Sequence, residues 1–443
     1  MDCILAIDVG TQSLRACLTD TELSVLERQQ VPYSPRIESG YRVEIDAAIL
    51  WSALLQACRK LKEKGPVKAI SFSTLCPSLL PMDAEGNPLY PIILHLDRRS
   101  SRQAKWALQR VGEDDFLNIA GNLPVPGGIS LTSLLWVRDR EAGIYYRKDV
   151  CFGHAVTFFV KRLTNRFVID PSNASFTGLY NTVGYGDWDE RLLQPLEIDK
   201  QKLPEVIMSA SIAGELTDAG ARLLGLPKKV PVVIGANDTT CAAVGAGVTE
   251  AGDIMNTSGT VEILVLCLEE PLISKNHLLR THAYPRRWLA MRTVGAGGAS
   301  LEWFRMNFCK EMTKQAFYEE YLKEVLSPNK VPDARFHPFL AGDRHRIMRK
   351  SGAFTRLTLN TTREDVLLAV VYGIVSFQNK ILSVWENKAP VNKQIRHVGG
   401  GASAAYTEYK QSMLKNYSFV PLGETTLTGA AKLAMDALKL KHF

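Results

Sequence analysis

The sequence lacks the features that mark membrane and secreted proteins. No apolar run reaches the length of about 18 residues that a membrane-spanning helix needs. The first eight residues carry an acid where a secretory signal would carry lysines. The eight cysteines are scattered singly, without a CxxC pair or the spacing of a disulfide framework. These absences predict reduced thiols, a cytoplasmic location and no membrane partner.

Two common nucleotide-binding signatures and a nucleic-acid surface are also missing. No Walker-A spacing occurs, and no Gly-x-Gly-x-x-Gly follows the first predicted strand, which argues against a P-loop kinase and a dehydrogenase. The net charge of +7 is spread over 443 residues, whereas a nucleic-acid surface needs denser basic clusters. We therefore expect no nucleic-acid partner, although a mild attraction for anionic substrates is compatible with this charge.

The chain has the composition of a globular protein, and it contains an internal repeat. Apolar residues make up 46% and charged residues 22%, and the length suits two domains of roughly 200 residues each. A strand, a Gly-Thr turn and a second strand occupy residues 3–19, and the same pattern returns at residues 253–266. This repeat predicts a duplication whose two turns face each other, with domains at residues 1–243 and 244–443.

The centre of the chain holds a candidate general base. Residues 232–234 predict the end of a buried strand, which is followed by a Gly-Ala-Asn turn, Asp238 and a helix of small residues. A carboxylate at such a strand-to-helix turn faces a cleft, stays ionised above the helix N-terminus and can accept a proton. The alternative interpretation is that Asp238 is only the helix N-cap, a position that Asp favours.

Three glycine-rich turns are candidate phosphate sites, because backbone amides in such turns bind anions. They lie at residues 10–13, 257–260 and 399–402. An acid beside a phosphate is a natural Mg²⁺ ligand, which makes Asp8 the metal candidate; alternatively, Asp8 is a plain turn residue. Trp303, Phe304 and Phe308, at helical spacing, are interpreted as core residues rather than as a base-stacking surface.

Five segments, in this order, make the chain similar to the FGGY carbohydrate kinases of the actin/hexokinase/Hsp70-like superfamily. They are residues 6–13 (Ala-Ile-Asp-Val-Gly-Thr-Gln-Ser), 96–99 (Leu-Asp-Arg-Arg), 235–247 (beginning Gly-Ala-Asn-Asp), 256–260 (Asn-Thr-Ser-Gly-Thr) and 398–402 (Val-Gly-Gly-Gly-Ala). The resemblance covers essentially the whole chain. It implies an α/β fold of two actin-like (ribonuclease H-like) domains flanking a catalytic cleft. It also implies ATP and Mg²⁺ as cofactors and a sugar as phosphate acceptor.

The resemblance gives each candidate residue a role. Asp238 is the catalytic base and contacts the substrate, and Asp8 holds the hydrated Mg²⁺. The nucleotide contacts fall to Gly10, Thr11, Gln12, Ser13, Thr257, Ser258, Gly259, Thr260, Gly399, Gly400, Gly401 and Ala402. The helix after residue 402 departs from the family pattern, because Gln411 comes late and Asn416 stands where an acid is common. The adenine side of the site is therefore left open.

The predicted sugar loop indicates the substrate class. Ser73, Thr74 and Cys76 offer hydroxyl and thiol groups that cannot grip a carboxylate, whereas Asp97 can accept bonds from sugar hydroxyls. The loop lacks the Arg-Glu pair expected of glycerol kinases and the Met-His-Gly of typical xylulokinases, and it is most similar to the xylulose/ribulose kinase-like branch. We therefore expect a neutral pentulose, D-ribulose or D-xylulose, rather than glycerol or a sugar acid such as gluconate.

Two other protein classes stay open on the sequence alone. A regulatory pseudokinase would bind nucleotide or sugar without turnover, and the altered adenine segment slightly favours it. A chaperone-like ATPase of the same superfamily would hydrolyse ATP without a sugar, but the chain lacks a peptide-binding extension. A homodimer also stays open, because nothing in the sequence decides the oligomeric state.

Overall fold

The computed structural model describes residues 2–38, 42–61, 65–259, 261–294, 297–340, 342–343, 350–399 and 403–440. Up to residue 245 the strands and helices are, in order, β1 (Cys3–Val9), β2 (Ser13–Thr19), β3 (Val25–Pro32), β4 (Arg36–Glu38), β5 (Arg42–Ile45), α1 (Ala47–Leu61), β6 (Val67–Thr74), β7 (Ser78–Met82), β8 (Ile92–Leu94), α2 (Ser101–Val111), α3 (Glu113–Asp115), α4 (Leu131–Arg140), α5 (Ala142–Tyr145), β9 (Cys151–Gly153), α6 (Ala155–Thr164), β10 (Val168–Ile169), α7 (Pro171–Ala174), α8 (Glu190–Leu193), β11 (Glu205–Val206), β12 (Ile212–Glu215), α9 (Asp218–Leu224), β13 (Pro231–Asn237) and α10 (Asp238–Gly245).

The elements of the second half follow in the same way. They are β14 (Ile254–Ser258), β15 (Glu262–Leu268), β16 (Leu278–Thr281), β17 (Trp288–Thr293), α11 (Gly297–Phe308), α12 (Lys314–Ala316), α13 (Leu322–Val325), β18 (Arg335–His337), β19 (Ala353–Thr355), α14 (Arg363–Glu386), β20 (Gln394–Val398), α15 (Ala404–Met413), β21 (Ser418–Leu422) and α16 (Thr426–Ala437). Short π-helical segments at Phe116–Ala120 and Phe317–Tyr321 and a 3₁₀ turn at Lys200–Lys202 complete the described helices.

Two six-stranded sheets form the centres of the two halves, and they share the order of the three strands around the central one. The first sheet is ordered β12-β13-β6-β1-β2-β3 and the second β16-β17-β15-β14-β20-β21. In each sheet, the central strand (β1 or β14) pairs antiparallel with the strand that follows it and parallel with a later one (β6 or β20). The repeated order confirms the expected fold class, an α/β protein built from two actin-like domains.

The central strand β1 is buried along its whole length, as a strand covered on both faces must be. Its alternate residues belong to different cores, because successive side chains point to opposite faces. Leu5 and Ile7 lie in the large core of the first half. Ile4 and Ala6 lie in a second cluster that α10 and α16 complete.

The position of α16 bears on the predicted division at residues 243 and 244. The two sheets fall on either side of that division. However, α16 lies near the end of the second segment and packs against β1 and β6 of the first sheet. The boundary at residues 243 and 244 therefore stays a prediction. It lies between the two sheets in the sequence, but α16, from the second segment, packs on the sheet of the first.

The long helix α14 forms the centre of the second core. Its N-terminus is fixed by a capping box, in which Thr362 and Asp365 each accept a hydrogen bond from the other's backbone amide. Among the helices of the described ranges, α14 is the one that is long and apolar enough to cross a membrane. However, 61% of its apolar window is buried inside the protein, as in the core helix of a globular domain.

Candidate active site

The carboxyl ends of three parallel strands bring the candidate base and the candidate metal ligand together. β1, β6 and β13 are parallel neighbours, so the residues at their ends lie at one edge of the sheet. A cleft of about 520 Å³ opens at this edge. The predicted site residues on its walls are Asp8, Gly10, Asp238, Thr257, Ser258, Gly259 and Gly399. The first two glycine turns therefore face the same cleft.

The first turn presents its glycine to the cleft and closes on itself behind it. The amide of Gly10 donates to the carbonyl of Ser13 at 3.0 Å. Tyr33 Oη donates to the carbonyl of Gly10 at 2.7 Å, which fixes the turn against β3. Thr11 and Ser13 are partly buried and Gln12 is exposed. Gly10 is thus the residue of this turn that borders the cavity.

Asp238 is the first residue of α10 rather than its cap. The cap is Asn237, whose side chain accepts a hydrogen bond from the amide of Thr240 at 3.0 Å. The N-cap interpretation of Asp238 is therefore wrong, since the neighbouring residue already performs that task. Thr239 donates its amide to Oδ1 of Asp238 at 2.6 Å. Within the described residues, Oδ2 has no hydrogen-bond partner.

The electrostatic surroundings make Asp238 more basic than an ordinary aspartate. Burial raises its pKa from 3.8 to about 6, and the neighbouring Asp8 adds to that rise. The Thr239 hydrogen bonds and the charge of Arg15 oppose it. The carboxylate is partly accessible at the wall of the cleft. Such a group is ionised at neutral pH and can still accept a proton.

Asp8 is held by the protein on both carboxylate oxygens. Ser73 Oγ donates to Oδ1 at 2.7 Å, and Arg15 Nε donates to Oδ2 at 2.9 Å. Burial raises the pKa of Asp8, and the positive charge of Arg15 opposes that rise. Ser73, a predicted sugar contact, thus donates its hydroxyl hydrogen to Asp8.

Sequence reasoning missed three charged residues of this cleft, Arg15, Arg28 and Glu424. Arg15 lies opposite Asp8 in the β1–β2 hairpin, and it also pairs with Glu424, just before α16. Glu424 accepts the amide of Thr426 at 2.9 Å, so the same side chain supports the start of α16. The hairpin register could have indicated Arg15, because directly opposed residues in an antiparallel pair interact. No local signal indicated Glu424.

Of the remaining sugar-loop residues, Cys76 lies beside a neutral histidine. Thr74 is fully buried, and no described residue is bonded to its Oγ1. Cys76 is partly accessible, and its Sγ lies 3.5 Å from Nδ1 of His154. Burial raises the pKa of the Cys76 thiol, with a further contribution from Asp238. Burial lowers the pKa of His154 to about 4, so its ring is neutral at pH 7.

Asp97 is placed differently from the sequence expectation, because its carboxylate is already occupied. The side chain is 1% exposed, and Arg99 donates to both of its oxygens at 2.9–3.0 Å through Nε. The amide of Val43 donates to Oδ2 at 2.8 Å, and Arg99 also pairs with Glu44. Asp97 lines neither the cleft nor the larger cavity described below. Its predicted contact with sugar hydroxyls stays a prediction.

A buried arginine from the second half lies near the sugar loop. Arg280 on β16 donates to the carbonyls of Ser175 at 2.7 Å and Gly128 at 3.0 Å, and its guanidinium lies 3.7 Å from the Phe176 ring centroid. Burial lowers its pKa to about 9, and the nearby Cys76 opposes that shift. In the described part of the chain no carboxylate pairs with it. Sequence reasoning had placed no arginine near the sugar loop.

A larger cavity of about 1530 Å³ continues from the cleft on the other side of the second turn. Gly259 borders both spaces, and α11 and the start of α15 supply much of the remaining wall. Gly399 has φ +110°, and a Cβ there would lie 2.5 Å from the carbonyl of Ser258. The second and third turns are thus in direct contact. The predicted nucleotide contacts Thr260, Gly400, Gly401 and Ala402 lie outside the described residues.

The structure corrects the interpretation of the three aromatic residues on α11. Phe304 is a core residue, as expected. Trp303 packs partly buried against the second core and also lines the larger cavity, whereas Phe308 is 44% exposed, so the core interpretation was wrong for Phe308. Spacing alone could not separate them, because a helix that borders a cavity and a helix that faces a core show the same period.

Comparisons with known proteins agree with this geometry. Residues 3–245 match the model of the FGGY family of carbohydrate kinases, N-terminal domain. The chain is 28% identical to a xylulose kinase of Staphylococcus xylosus, over 90% of this chain and 83% of that one. It is 25% identical to a gluconokinase of Bacillus subtilis, over 98% and 87%. The fold matches a ligand-bound xylulose kinase from Lactobacillus acidophilus with a TM-score of 0.91 and 21% identity, over 100% and 91%.

Proposed function

Since the chain belongs to the FGGY family of carbohydrate kinases, phosphotransferases with an alcohol group as acceptor, we propose that it phosphorylates a terminal hydroxyl of a small neutral ketose. ATP is the phosphate donor, and D-xylulose and D-ribulose are the preferred acceptors. The observation that carries this proposal is Asp238, a carboxylate with a raised pKa and an unpartnered Oδ2 among the described residues, in the cleft between two glycine turns.

Asp238 acts as the general base of this reaction. With a pKa of about 6, its carboxylate is ionised at neutral pH and basic enough to take the proton of a sugar hydroxyl. Thr239 holds Oδ1, which leaves Oδ2 for that proton. The oxygen of the sugar then attacks the γ-phosphorus in line, and the bond to the leaving ADP oxygen breaks. Residues 257–259 hold the transferring phosphate from one wall of the cleft, and Gly10 borders it from the other.

A hydrated Mg²⁺ fits the acidic side of the cleft. Because Ser73 and Arg15 already engage both oxygens of Asp8, this carboxylate would hold the metal through coordinated water, and Mg²⁺ commonly keeps several waters. No group of three or more His, Cys, Asp or Glu side chains that would form an inner cage occurs in the described ranges. When bound, the metal would neutralise charge on the phosphates. Arg15 supplies a second positive charge at the same place.

The surroundings of the sugar loop support a neutral acceptor. Cys76, which is partly accessible, offers a thiol without a charge, and the buried His154 beside it is neutral. The two terminal nitrogens of Arg280 are already bonded to backbone carbonyls. A pentulose could bind these polar groups through its hydroxyls, and it has no carboxylate whose charge the pocket would have to neutralise.

A sugar acid is the second candidate acceptor, and one observation favours it. Arg280 is fully buried, and no described carboxylate balances its charge, which is unusual because buried charges are normally paired. The carboxylate of an aldonate bound against the sugar loop would provide that balance. The similarity to a gluconokinase is compatible with this alternative.

A coupled assay of ADP release separates these functions. D-xylulose, D-ribulose, glycerol and D-gluconate are each offered with ATP and Mg²⁺, and we expect the highest kcat/KM for one of the two pentuloses. The highest value for gluconate would favour the second candidate, and the highest for glycerol would contradict the argument from the pocket. Release that needs no sugar would indicate an ATPase, and ADP binding without turnover would indicate a pseudokinase. A cytoplasmic location and a homodimer stay predictions from the sequence.

A further inference from the structure

A buried ion pair lies where three walls of the larger cavity meet. Lys410 on α15 pairs with Glu262, the first residue of β15, and the two side chains are 0% and 1% exposed. Lys410 Nζ also donates to Oδ1 of Asn256 at 2.9 Å. Tyr406 Oη donates to Oε2 of Glu262 at 2.7 Å. These four residues are called the lysine–glutamate cluster below.

The cluster joins the second glycine turn to α15. Asn256 directly precedes this turn, and Glu262 follows it. The two α15 members lie four residues apart and therefore on one face of the helix. Ala404 and Glu408 are also four residues apart, lie on the opposite face and line the larger cavity. The helix thus has one face in the cavity and the other bonded to the turn.

The start of α11 rests on the same cluster. A Cβ on Gly297 would lie 2.8 Å from Cβ of Glu262, so α11 begins in close contact with that side chain. The amide of Gly298 donates to the carbonyl of Gly259 at 3.0 Å. Gly259, α11 and α15 all border the larger cavity. Glu262 is therefore close to every one of these three walls.

Stability alone does not explain why a charged pair occupies this place. Removing two charges from water is costly, and well-packed apolar residues of similar size often stabilise a fold as well or better. A directional network instead fixes the relative position of the segments that it joins. Burial opposes the ionisation of Glu262, but the charge of Lys410 lowers its pKa, so the carboxylate stays ionised.

We propose that the lysine–glutamate cluster is a positioning device for the nucleotide. It sets the distance between the turn at residues 257–259, which would hold the phosphates, and the helix that borders the space for the nucleoside. Asn256, Glu262, Tyr406 and Lys410 are then positioning residues that touch no substrate. This inference rests on the proposed use of the two cavities by ATP.

The test replaces the pair by apolar residues and compares it with a matched pair elsewhere. The double variant Glu262→Leu/Lys410→Met leaves no unpaired buried charge, so it is expected to fold. The control is Glu386→Leu/Lys393→Met. Glu386 also pairs with a lysine and accepts a hydrogen bond from a tyrosine hydroxyl. This pair is partly exposed, and Lys393 lies just before β20, at the end of the strand away from Gly399. Thermal unfolding, the Kd of ADP by calorimetry and the KM values of both substrates are measured.

We expect the double variant to weaken ADP binding and raise the KM of ATP by about tenfold or more, because small displacements of positioned groups cost this much. The KM of the sugar and all values of the control stay unchanged. Unchanged ADP affinity in the folded double variant would overturn the inference. If that variant does not fold, Tyr406→Phe removes one hydrogen bond and both charges remain. A smaller loss of ADP affinity is then expected, and no loss would be equally decisive.

The experiments distinguish a failure of the proposed function from a failure of this inference. A parent protein that binds ADP but transfers no phosphate would remove the kinase proposal, and the ADP affinities would still decide the role of the cluster. A parent that binds no ADP would overturn both.

Discussion

Replacing Asp238 by asparagine should abolish turnover and at the same time stabilise the fold at neutral pH. Asparagine keeps the shape of the side chain and an oxygen that can accept the Thr239 amide, but it cannot take a proton. Loss of a general base typically costs about 10²- to 10⁴-fold in rate. ATP binding should stay nearly intact, because Asp238 acts on the acceptor hydroxyl.

The expected stabilisation follows from the pKa of Asp238. A rise from 3.8 to about 6 on folding corresponds to at most about 3 kcal/mol, at about 1.4 kcal/mol for each pKa unit. Well below pH 3.8 the carboxyl is protonated in both states, so it contributes no difference. As the pH rises towards 6 the unfolded chain loses this proton first, and the parent protein loses stability. Asparagine does not ionise, so the variant escapes this loss.

The assay is thermal unfolding of both proteins between pH 4 and pH 8. The Tm difference should be smallest at pH 4, grow between pH 4 and pH 6 and become constant above that range. Asp189→Asn is the control of opposite sign, because Arg191 lowers the pKa of Asp189 and asparagine can still cap α8. That variant should be less stable than the parent at pH 7, and the difference in Tm between the two should become smaller as the pH is lowered.

The activity of the parent gives an independent measurement. Its kcat/KM should fall with an apparent pKa of about 6 as the pH is lowered, since the protonated carboxyl cannot act as a base. Equal turnover by parent and Asp238→Asn would remove Asp238 from its role. A Tm difference that does not change with pH would refute the argument that burial raises this pKa.

Two further predictions concern packing and the sugar side of the site. In Gly429→Ala the new Cβ would lie 1.8 Å from the carbonyl of Cys241, so α10 and α16 must separate. The free energy of unfolding should fall by about 1–3 kcal/mol or more. The measurement is thermal unfolding, and the control is Gly143→Ala, whose new Cβ meets no atom within 4 Å. Asp97→Asn should destabilise the protein by about 1–3 kcal/mol, because it weakens the hydrogen bonds of Arg99 while Glu44 still balances the charge. A raised KM for the sugar at unchanged KM for ATP would support a contact with substrate.

The parts of the site that the sequence predicts well are those that depend on local chain chemistry. A glycine turn between two strands and a carboxylate after a strand carry their signal within a few residues. The two sheets and the shared cleft then follow from the repeat of that local pattern. The cap of α10 shows the limit, since Asn237 and Asp238 are both good caps and helix ends are uncertain by a residue or two.

The parts that the sequence could not predict depend on residues that meet only in the folded chain. Arg15 and Glu424 are 409 positions apart, and no local pattern connects them. No local pattern placed Arg280 beside the sugar loop, because this residue lies in the second half of the chain. In each case a charge is balanced, or left unbalanced, by tertiary contacts alone.

The same long-range contacts show why the two halves cannot be treated as separate units. The second half supplies α16, whose apolar residues complete the core behind β1, and Arg280, which holds two carbonyls of the first half. The first half in turn supplies Asn122, whose side chain bonds both the amide and the carbonyl of Leu279 on the edge strand β16. A change in the relative position of the halves must therefore disturb the wall of the sugar loop as well as the cleft. The predicted sugar loop and the cleft are thus built on contacts that join the two halves.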